Sequence, residues 1–127
     1  PEQDKDEISS KKYAYFHYVG PKYGDDRASY FKAAKLLLMP GPVGLVILDS
    51  FISRKPLITT DIPGHGPEIS YHDNGQNGLC SSFDEVEYAN EVNNCLSDNA
   101  LYAVLVQGCE IGASAHTMKK MVQNCKD

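Results

Sequence analysis

The pattern of apolar and polar positions along the chain predicts three helices. The first begins at Asp25 and Asp26, which supply an N-cap and a favourable charge, and apolar residues follow at helical spacing up to Met39. The second covers about residues 82–96, where a serine followed three residues later by a glutamate has the spacing of a capping box. A third begins at Ser114 and carries lysines towards its C-terminal end.

Other apolar runs lack the helical period and predict strands. Residues 13–19 are aromatic-rich and stop at a Gly-Pro pair, whereas residues 43–52, 57–62 and 101–106 are apolar and partly β-branched. Residues 68–72 are a further short candidate. We therefore expect several strands that alternate with the helices.

The predicted order is strand, helix, strand, strand, helix, strand, helix. Two β-α-β halves joined by a hairpin give an α+β fold of the split-βαβ (ferredoxin-like) type, a sandwich in which helices pack on one face of an antiparallel sheet. Residues 1–12 are polar and predict a flexible arm, so residues 13–127 are expected to form one α+β sandwich domain.

Charge and composition exclude some partners. The 127 residues carry a net charge of −5, and the sequence pI is 5.3. Binding to nucleic acid or to anionic lipid needs a basic face, so neither is expected. The chain has no apolar run long enough to span a membrane, and we expect a monomer. A start at Pro1 without methionine suggests a mature form from which a leader was removed, which predicts a secreted protein.

All four cysteines follow residue 79, at near-even spacing. An even number in a short chain predicts two disulfides and an oxidising, extracellular location. In the predicted layout, each helix runs back along the strand beside it, which favours the pairs Cys80–Cys109 and Cys95–Cys125 among the three possible pairings. No short Cys-x-x-Cys spacing is present, so zinc is not expected.

Two histidines and a glutamate follow the predicted strand at residues 57–62. His65, Glu68 and His72 are residue types that a secreted ribonuclease uses for acid–base catalysis, and His65 with His72 and Asp73 could also face a metal. Residues 61–79 contain no lysine or arginine to hold a phosphate backbone. We therefore favour histidines that belong to a glycine-rich surface loop, and predict no catalytic residue, no metal and no cofactor.

Two further groups of residues are candidate sites. Tyr13, Tyr15 and His17 share one face of the predicted first strand and, with His65 and His72, are candidate binding residues. Cys80 precedes a predicted helix and could act as a thiol nucleophile with His116 as its base. A structural disulfide at Cys80 is favoured over this role.

Residues 41–44, with the sequence Gly-Pro-Val-Gly, are not predicted to bind phosphate. They precede a predicted strand rather than a helix, and they lack the lysine and hydroxyl residues of a phosphate loop.

The layout resembles the small secreted α/β-sandwich proteins of fungi, namely killer-toxin-like proteins and plant-pathogen effectors. The resemblance rests on the chain length, on two helices facing a sheet, and on cysteines at the ends of elements. It implies a secreted, non-enzymatic effector or toxin-like protein that binds a protein of a host or target cell. The alternatives are a secreted hydrolase, ribonuclease-like, that uses His65, Glu68 and His72, and a structural or inhibitory domain that presents the loop at residues 63–67.

Overall fold

In the computed structural model, which describes residues 15–116, the chain divides into two units, Pro1–Tyr30 and Phe31–Asp127. In the first unit, residues 15–19 are exposed and form no strand. Helix α1 (Gly24–Ala33) begins there, with Asp25 and Asp26 in its first turn. The first predicted helix is thus confirmed, although it ends at Ala33 rather than at Met39. The predicted arm at residues 1–12 lies outside the described residues.

The second unit contains a sheet of three parallel strands. They are β1 (Leu37–Leu38), β2 (Leu57–Thr60) and β3 (Gly78–Ser81), and β2 lies in the middle. Leu57 pairs with Leu37 on one side and with Gly78 on the other. All four residues of β2 are buried. A strand with both neighbours parallel and no exposed residue needs cover on both faces of the sheet.

Helices connect the three strands, and two further helices come after the last strand. Helix α2 (Val46–Ser53) lies between β1 and β2, and a 3₁₀ helix (Pro67–Tyr71) lies between β2 and β3. Helices α3 (Glu85–Ser97) and α4 (Asn99–Ala115) come after β3. An aspartate precedes each of these two helices and caps it: the side chain of Asp84 accepts a hydrogen bond from Glu87 N, and that of Asp98 accepts one from Leu101 N.

Two hydrophobic clusters divide the core. Neighbouring residues of β2 point to opposite faces of the sheet, so Leu57 joins one cluster and Ile58 joins the other. The buried residues of the first cluster are Val43, Ile47, Phe51, Leu57 and Cys109, and those of the second are Ile58, Leu79, Cys95 and Leu105. The sheet therefore has apolar cover on both faces.

The structure contradicts the predicted split-βαβ fold, with its antiparallel sheet and helices on one face. The apolar runs at residues 43–52 and 101–106, predicted as strands, lie largely in α2 and α4. The buried residues of both helices do recur at a helical spacing of three or four, but further apolar residues between them hide this period in the sequence. Residues 68–72, also predicted as a strand, fall mostly in the 3₁₀ helix. The strand predicted at residues 57–62 is confirmed as β2, but its neighbours are parallel.

The predicted disulfides are contradicted as well. Cys80, Cys95 and Cys109 are free thiols, on β3, α3 and α4 respectively, so the Cys80–Cys109 pair is wrong and Cys95 has no disulfide partner. Ser114, the predicted start of the third helix, lies inside α4, so that start is wrong. Cys125 and the rest of that predicted helix lie outside the described residues. Burial raises the pKa of Cys109 to about 11, which keeps this thiol protonated and unreactive. Between residues 15 and 116, no helix is long and apolar enough to cross a bilayer.

Candidate functional site at the carboxyl edge of the sheet

The carboxyl ends of the three strands lie at one edge of the sheet. Because all strands are parallel, the segments that follow them start at this edge: residues 39–45 after β1, residues 61–66 after β2 and residues 82–84 after β3. Open parallel α/β sheets bind their ligands at this edge. It is therefore the place to look for a functional site.

In the segment after β1, the backbone is not covered by side chains at two glycines close to the start of α2. Leu45 precedes the helix and makes no side-chain cap. A Cβ added at Gly41 or at Gly44 would meet nothing within 4 Å, so the backbone at both glycines borders open space. The first amides of a helix carry partial positive charge and favour anions. One of the two reasons for excluding residues 41–44 as a phosphate site was wrong, because they precede a helix and not a strand; the lysine and hydroxyl residues of a phosphate loop are absent, as the sequence indicated.

His65 ties this segment to the end of β2. The amide of Val43 donates to His65 Nδ1 at 2.9 Å, and His65 Nε2 lies 2.7 Å from the carbonyl oxygen of Thr60. Because Nδ1 accepts, the proton of a neutral imidazole resides on Nε2, which donates to Thr60. The ring therefore bridges two of the three segments at this edge.

Two more hydrogen bonds hold the same segments together. The amide of Gly66 donates to the carbonyl of Val43 at 2.8 Å, and the hydroxyl of Thr60 donates to the carbonyl of Pro40 at 2.7 Å. The chain approaches closely here: a Cβ at Gly66 would lie 2.8 Å from Glu68 Oε2 and 3.3 Å from the Val43 carbonyl oxygen. These contacts hold the start of α2 in one position relative to β2.

A cavity of about 680 Å³ opens beside this segment, within the range of about 300–1,000 Å³ typical of small-ligand sites. Residues 83–86 line it together with Pro40, Thr60 and Tyr88. The hydroxyl of Tyr88 donates to the carbonyl of Ile58 at 2.7 Å, and burial raises its pKa to about 12. The phenol thus stays protonated and acts as part of the cavity wall.

The charge at this edge is acidic or neutral. The sequence has no lysine or arginine in residues 36–53 or in residues 56–116, whereas Asp84 and Glu85 line the cavity. An anion bound by these segments would therefore meet their backbone amides and no lysine or arginine side chain of theirs. Within the described part of the chain, no three His, Cys, Asp or Glu residues are close enough together to hold a metal ion.

The structure separates the residues that the sequence grouped as candidates. Tyr15 and His17 are exposed and belong to the first unit, and Tyr13 lies outside the described residues. In the second unit, His65 contacts the end of β2, whereas His72 Nε2 donates to the carbonyl of Leu57, at the start of β2, at 3.0 Å. Leu57 and Thr60 are three positions apart in β2, which corresponds to roughly 10 Å along the strand. Each ring is engaged by a different end of β2, so the two do not converge on one reacting atom.

The thiol candidate also lacks the environment that a nucleophile needs. Burial raises the pKa of Cys80, and the carboxylates of Asp61 and Glu91 raise it further. Its proposed base, His116, stacks on Tyr71 with ring centroids 4.1 Å apart. Cys80 therefore stays a protonated thiol at neutral pH.

Sequence reasoning missed the contribution of residues 40–46 and of Phe83. The available signal was the Pro-Gly-Pro-Val-Gly stretch between two apolar runs, which is the form of a strand-to-helix connection once both runs are assigned correctly. Because residues 43–52 were predicted as a strand, this strand-to-helix connection was not recognised. Phe83 fell within the helix predicted over about residues 82–96, whereas it precedes α3 and is 72% exposed.

Comparison with known proteins agrees with this architecture. The family described as glycosyl transferases group 1 matches residues 2–98. Sucrose-phosphate synthase from Thermosynechococcus elongatus has a similar structure, with a TM-score of 0.78 at 21% identity over 98% of this chain and 33% of that one. Anabaena HepE solved with UDP-glucose gives a TM-score of 0.67 at 19% identity over 98% of this chain and 37% of that one. HepE with UDP gives 0.63 at 20% identity over 81% of this chain and 30% of that one.

The chain thus spans about a third of the length of these solved proteins, and at these identities the likeness establishes the fold alone. No curated protein matches the chain significantly.

These findings overturn the functional predictions from sequence. The resemblance to fungal effectors and killer toxins is wrong, because it depended on a disulfide-linked antiparallel sandwich and the sheet is parallel with free thiols. The non-enzymatic effector function is contradicted by a family match to enzymes, and the ribonuclease-like alternative has no support. The predicted secretion loses its basis in disulfides, and the predicted partner and monomeric state stay predictions. The match covers more than half of the chain, so the chain belongs to the group 1 glycosyl transferase family.

Proposed function

We propose that the protein transfers a sugar from a nucleoside diphosphate donor, and that this chain binds the donor at the carboxyl edge of its sheet. In such a transfer the bond between the anomeric carbon and the diphosphate oxygen breaks, and an acceptor hydroxyl bonds to that carbon and loses its proton. The diphosphate leaves with additional negative charge. Stabilisation of that charge is what the protein must supply.

The observation that carries the proposal is the open backbone at Gly41 and Gly44, next to the start of α2. No side chain caps that helix start, and two hydrogen bonds keep the segment in place: the amide of Val43 donates to His65 Nδ1, and the amide of Gly66 donates to the carbonyl of Val43. Helix starts of this kind stabilise phosphates through amides and the helix dipole. HepE, which shares the fold, was solved with UDP and with UDP-glucose, which supports a uridine diphosphate sugar as the donor class.

The absence of lysine and arginine from residues 36–53 and 56–116 limits how tightly these segments can bind a diphosphate. A diphosphate at this edge would meet no lysine or arginine from residues 36–53 or 56–116. Backbone amides and a helix end contribute on the order of 0.3–1 kcal/mol each at exposed sites. The chain should therefore bind UDP more tightly than uridine, by a modest factor.

Gly44→Ala tests the proposal with little risk to the fold. The added methyl group meets no atom of the protein within 4 Å, so the free energy of unfolding should be nearly unchanged or slightly increased. If phosphates approach this backbone, the methyl group obstructs them, and UDP affinity measured by titration calorimetry should fall about tenfold. A matched control is Asn90→Ala on an exposed position of α3, which should bind UDP like the wild type. Failure of the wild type to bind UDP, or equal UDP affinity in Gly44→Ala, would contradict the proposal.

A further inference from the structure

We propose that the cavity lined by residues 83–86, Pro40, Thr60 and Tyr88 binds the ring of a neutral saccharide, which stacks on Phe83. This inference rests on the proposed function and extends it by assigning a place and a residue to the sugar.

The first argument is the exposed apolar surface in the cavity. Phe83 is 72% exposed and Val86 is 68% exposed, and both line the cavity with Pro40. The large apolar side chains of β2 itself, Leu57 and Ile58, are fully buried in the two core clusters. An exposed aromatic ring in a concave site is instead available to a ligand, and the C–H groups on one face of a pyranose ring pack against such a surface.

The second argument is the supply of hydrogen-bonding groups. The hydroxyl protons of Thr60 and Tyr88 are both used within the protein, on the carbonyls of Pro40 and Ile58. The charged groups of the lining, Asp84 and Glu85, are carboxylates and can only accept. A ligand that suits this cavity must therefore bring many hydrogen-bond donors, as the hydroxyl groups of a saccharide do.

The third argument is charge. Carboxylates repel a phosphate, and residues 36–53 and 56–116 contain no lysine or arginine to offset that repulsion, so the cavity is unsuited to the anionic part of a nucleotide sugar. The uncapped start of α2 favours that anionic part. Pro40 links the two regions, since it lines the cavity and lies in the segment that leads from β1 to the start of α2. The carboxyl edge thus has one region for phosphates and an adjacent region for an uncharged sugar.

The sugar ring could belong to the donor or to a separate acceptor, and affinity measurements on Phe83→Ala distinguish these sources. The ligands are UDP, UDP-glucose and maltose, with maltose binding followed by saturation-transfer NMR. If the cavity holds the donor sugar, the variant should bind UDP-glucose about tenfold more weakly and UDP as before. If it holds an acceptor sugar, the variant should lose maltose binding while both nucleotides bind normally.

The controls address folding and specificity. Ile52→Ala removes an apolar side chain that is 75% exposed on α2, close to the 72% of Phe83, and should bind every ligand like the wild type. Phe83→Trp keeps an aromatic surface and should preserve saccharide binding. Glu85→Gln keeps the ability to accept a hydrogen bond and should weaken binding less than Phe83→Ala.

Unchanged affinity of Phe83→Ala for both UDP-glucose and maltose would overturn the assignment of the cavity, as would a wild-type protein that binds no saccharide. If UDP still binds, that result leaves the proposed donor site intact. If UDP does not bind but maltose binding depends on Phe83, the donor proposal fails and the saccharide site stands.

Discussion

His72 and Gly78 share a small space at the start of β2. His72 Nε2 donates to the carbonyl of Leu57, and a Cβ on Gly78 would collide with that carbonyl oxygen and lie 2.5 Å from the same Nε2. Leu57 and Gly78 are also partners in the β2–β3 pairing. A side chain at position 78 is therefore incompatible with both the pairing and the histidine contact.

Gly78→Ala should lower the free energy of unfolding by about 3 kcal/mol, because the clash involves backbone that cannot move without breaking the sheet. Gly41→Ala is the matched control, since the same methyl group there meets nothing within 4 Å. It should change stability by less than about 1 kcal/mol. Urea unfolding of both variants measures the difference. Equal stability of the two variants would show that the sheet does not have this pairing.

His72 should make stability depend on pH. Burial lowers its pKa below the ordinary 6.5, although the hydrogen bond to Leu57 and the charge of Asp73 oppose this shift. The unfolded chain therefore takes up a proton at a higher pH than the folded protein does. The stabilisation from neutral His72 is complete above about pH 6.5 and is lost as pH falls towards the folded pKa.

His72→Gln keeps an amide donor and removes the titration. Below pH 6.5, its free energy of unfolding should decrease less steeply than that of the wild type, as measured by urea denaturation from pH 8 to pH 5. His65 and the acidic residues are present in both proteins, so the difference between the curves isolates His72. Parallel curves would show that burial of His72 does not affect its protonation.

At the scale of elements, small residues allow α4 to pack closely on its neighbours. A Cβ on Gly112 would lie 2.8 Å from the ring of Phe51 on α2. One turn earlier, Cys109 Sγ lies 3.8 Å from Ser50 Oγ of α2 and 3.5 Å from the carbonyl oxygen of Asn77. Close packing of α2 also fixes its N-terminal end, which is the proposed phosphate site.

Gly112→Ala separates helix propensity from packing. Alanine favours a helix by about 1 kcal/mol over glycine, yet the clash with Phe51 should make the variant about 1–3 kcal/mol less stable. Ser114→Ala, at an exposed position of the same helix, should be neutral or slightly stabilising. A Phe51→Leu substitution should reduce the harm done by Gly112→Ala, which a double-mutant cycle measures. A stabilising Gly112→Ala would contradict the α2–α4 packing.

The elements also differ in how well the sequence predicted them. Helix α1 was predicted from the aspartates at its start and α3 from a serine–glutamate pair at capping-box spacing, and these signals are local, although Asp84 and not the serine caps α3. Helices α2 and α4 were mistaken for strands because their apolar runs carry few polar residues. Strands β1 and β3, with two and four residues, are too short to show any period, and only their parallel pairing with β2 defines them.

At the scale of the whole molecule, the candidate site follows from strand direction. Three parallel strands place residues 39–45, 61–66 and 82–84 at one edge, whereas the predicted antiparallel sheet would have distributed them over two edges. His65 could be named as a candidate from sequence. Its role in joining Val43 to Thr60 could not, because that depends on contacts between residues 22 and 5 positions apart.

The central claim is that a nucleotide sugar binds at the carboxyl edge of the sheet. A titration with UDP-glucose, followed by backbone amide NMR shifts, tests it most directly. We expect the largest shifts at Gly41, Gly44 and Val46, with further shifts at Phe83 and Glu85. A second cavity of about 700 Å³ includes His72, Asn77 and Gly112 in its lining. Shifts confined to those residues, or no shifts at any residue at millimolar UDP-glucose, would contradict the account.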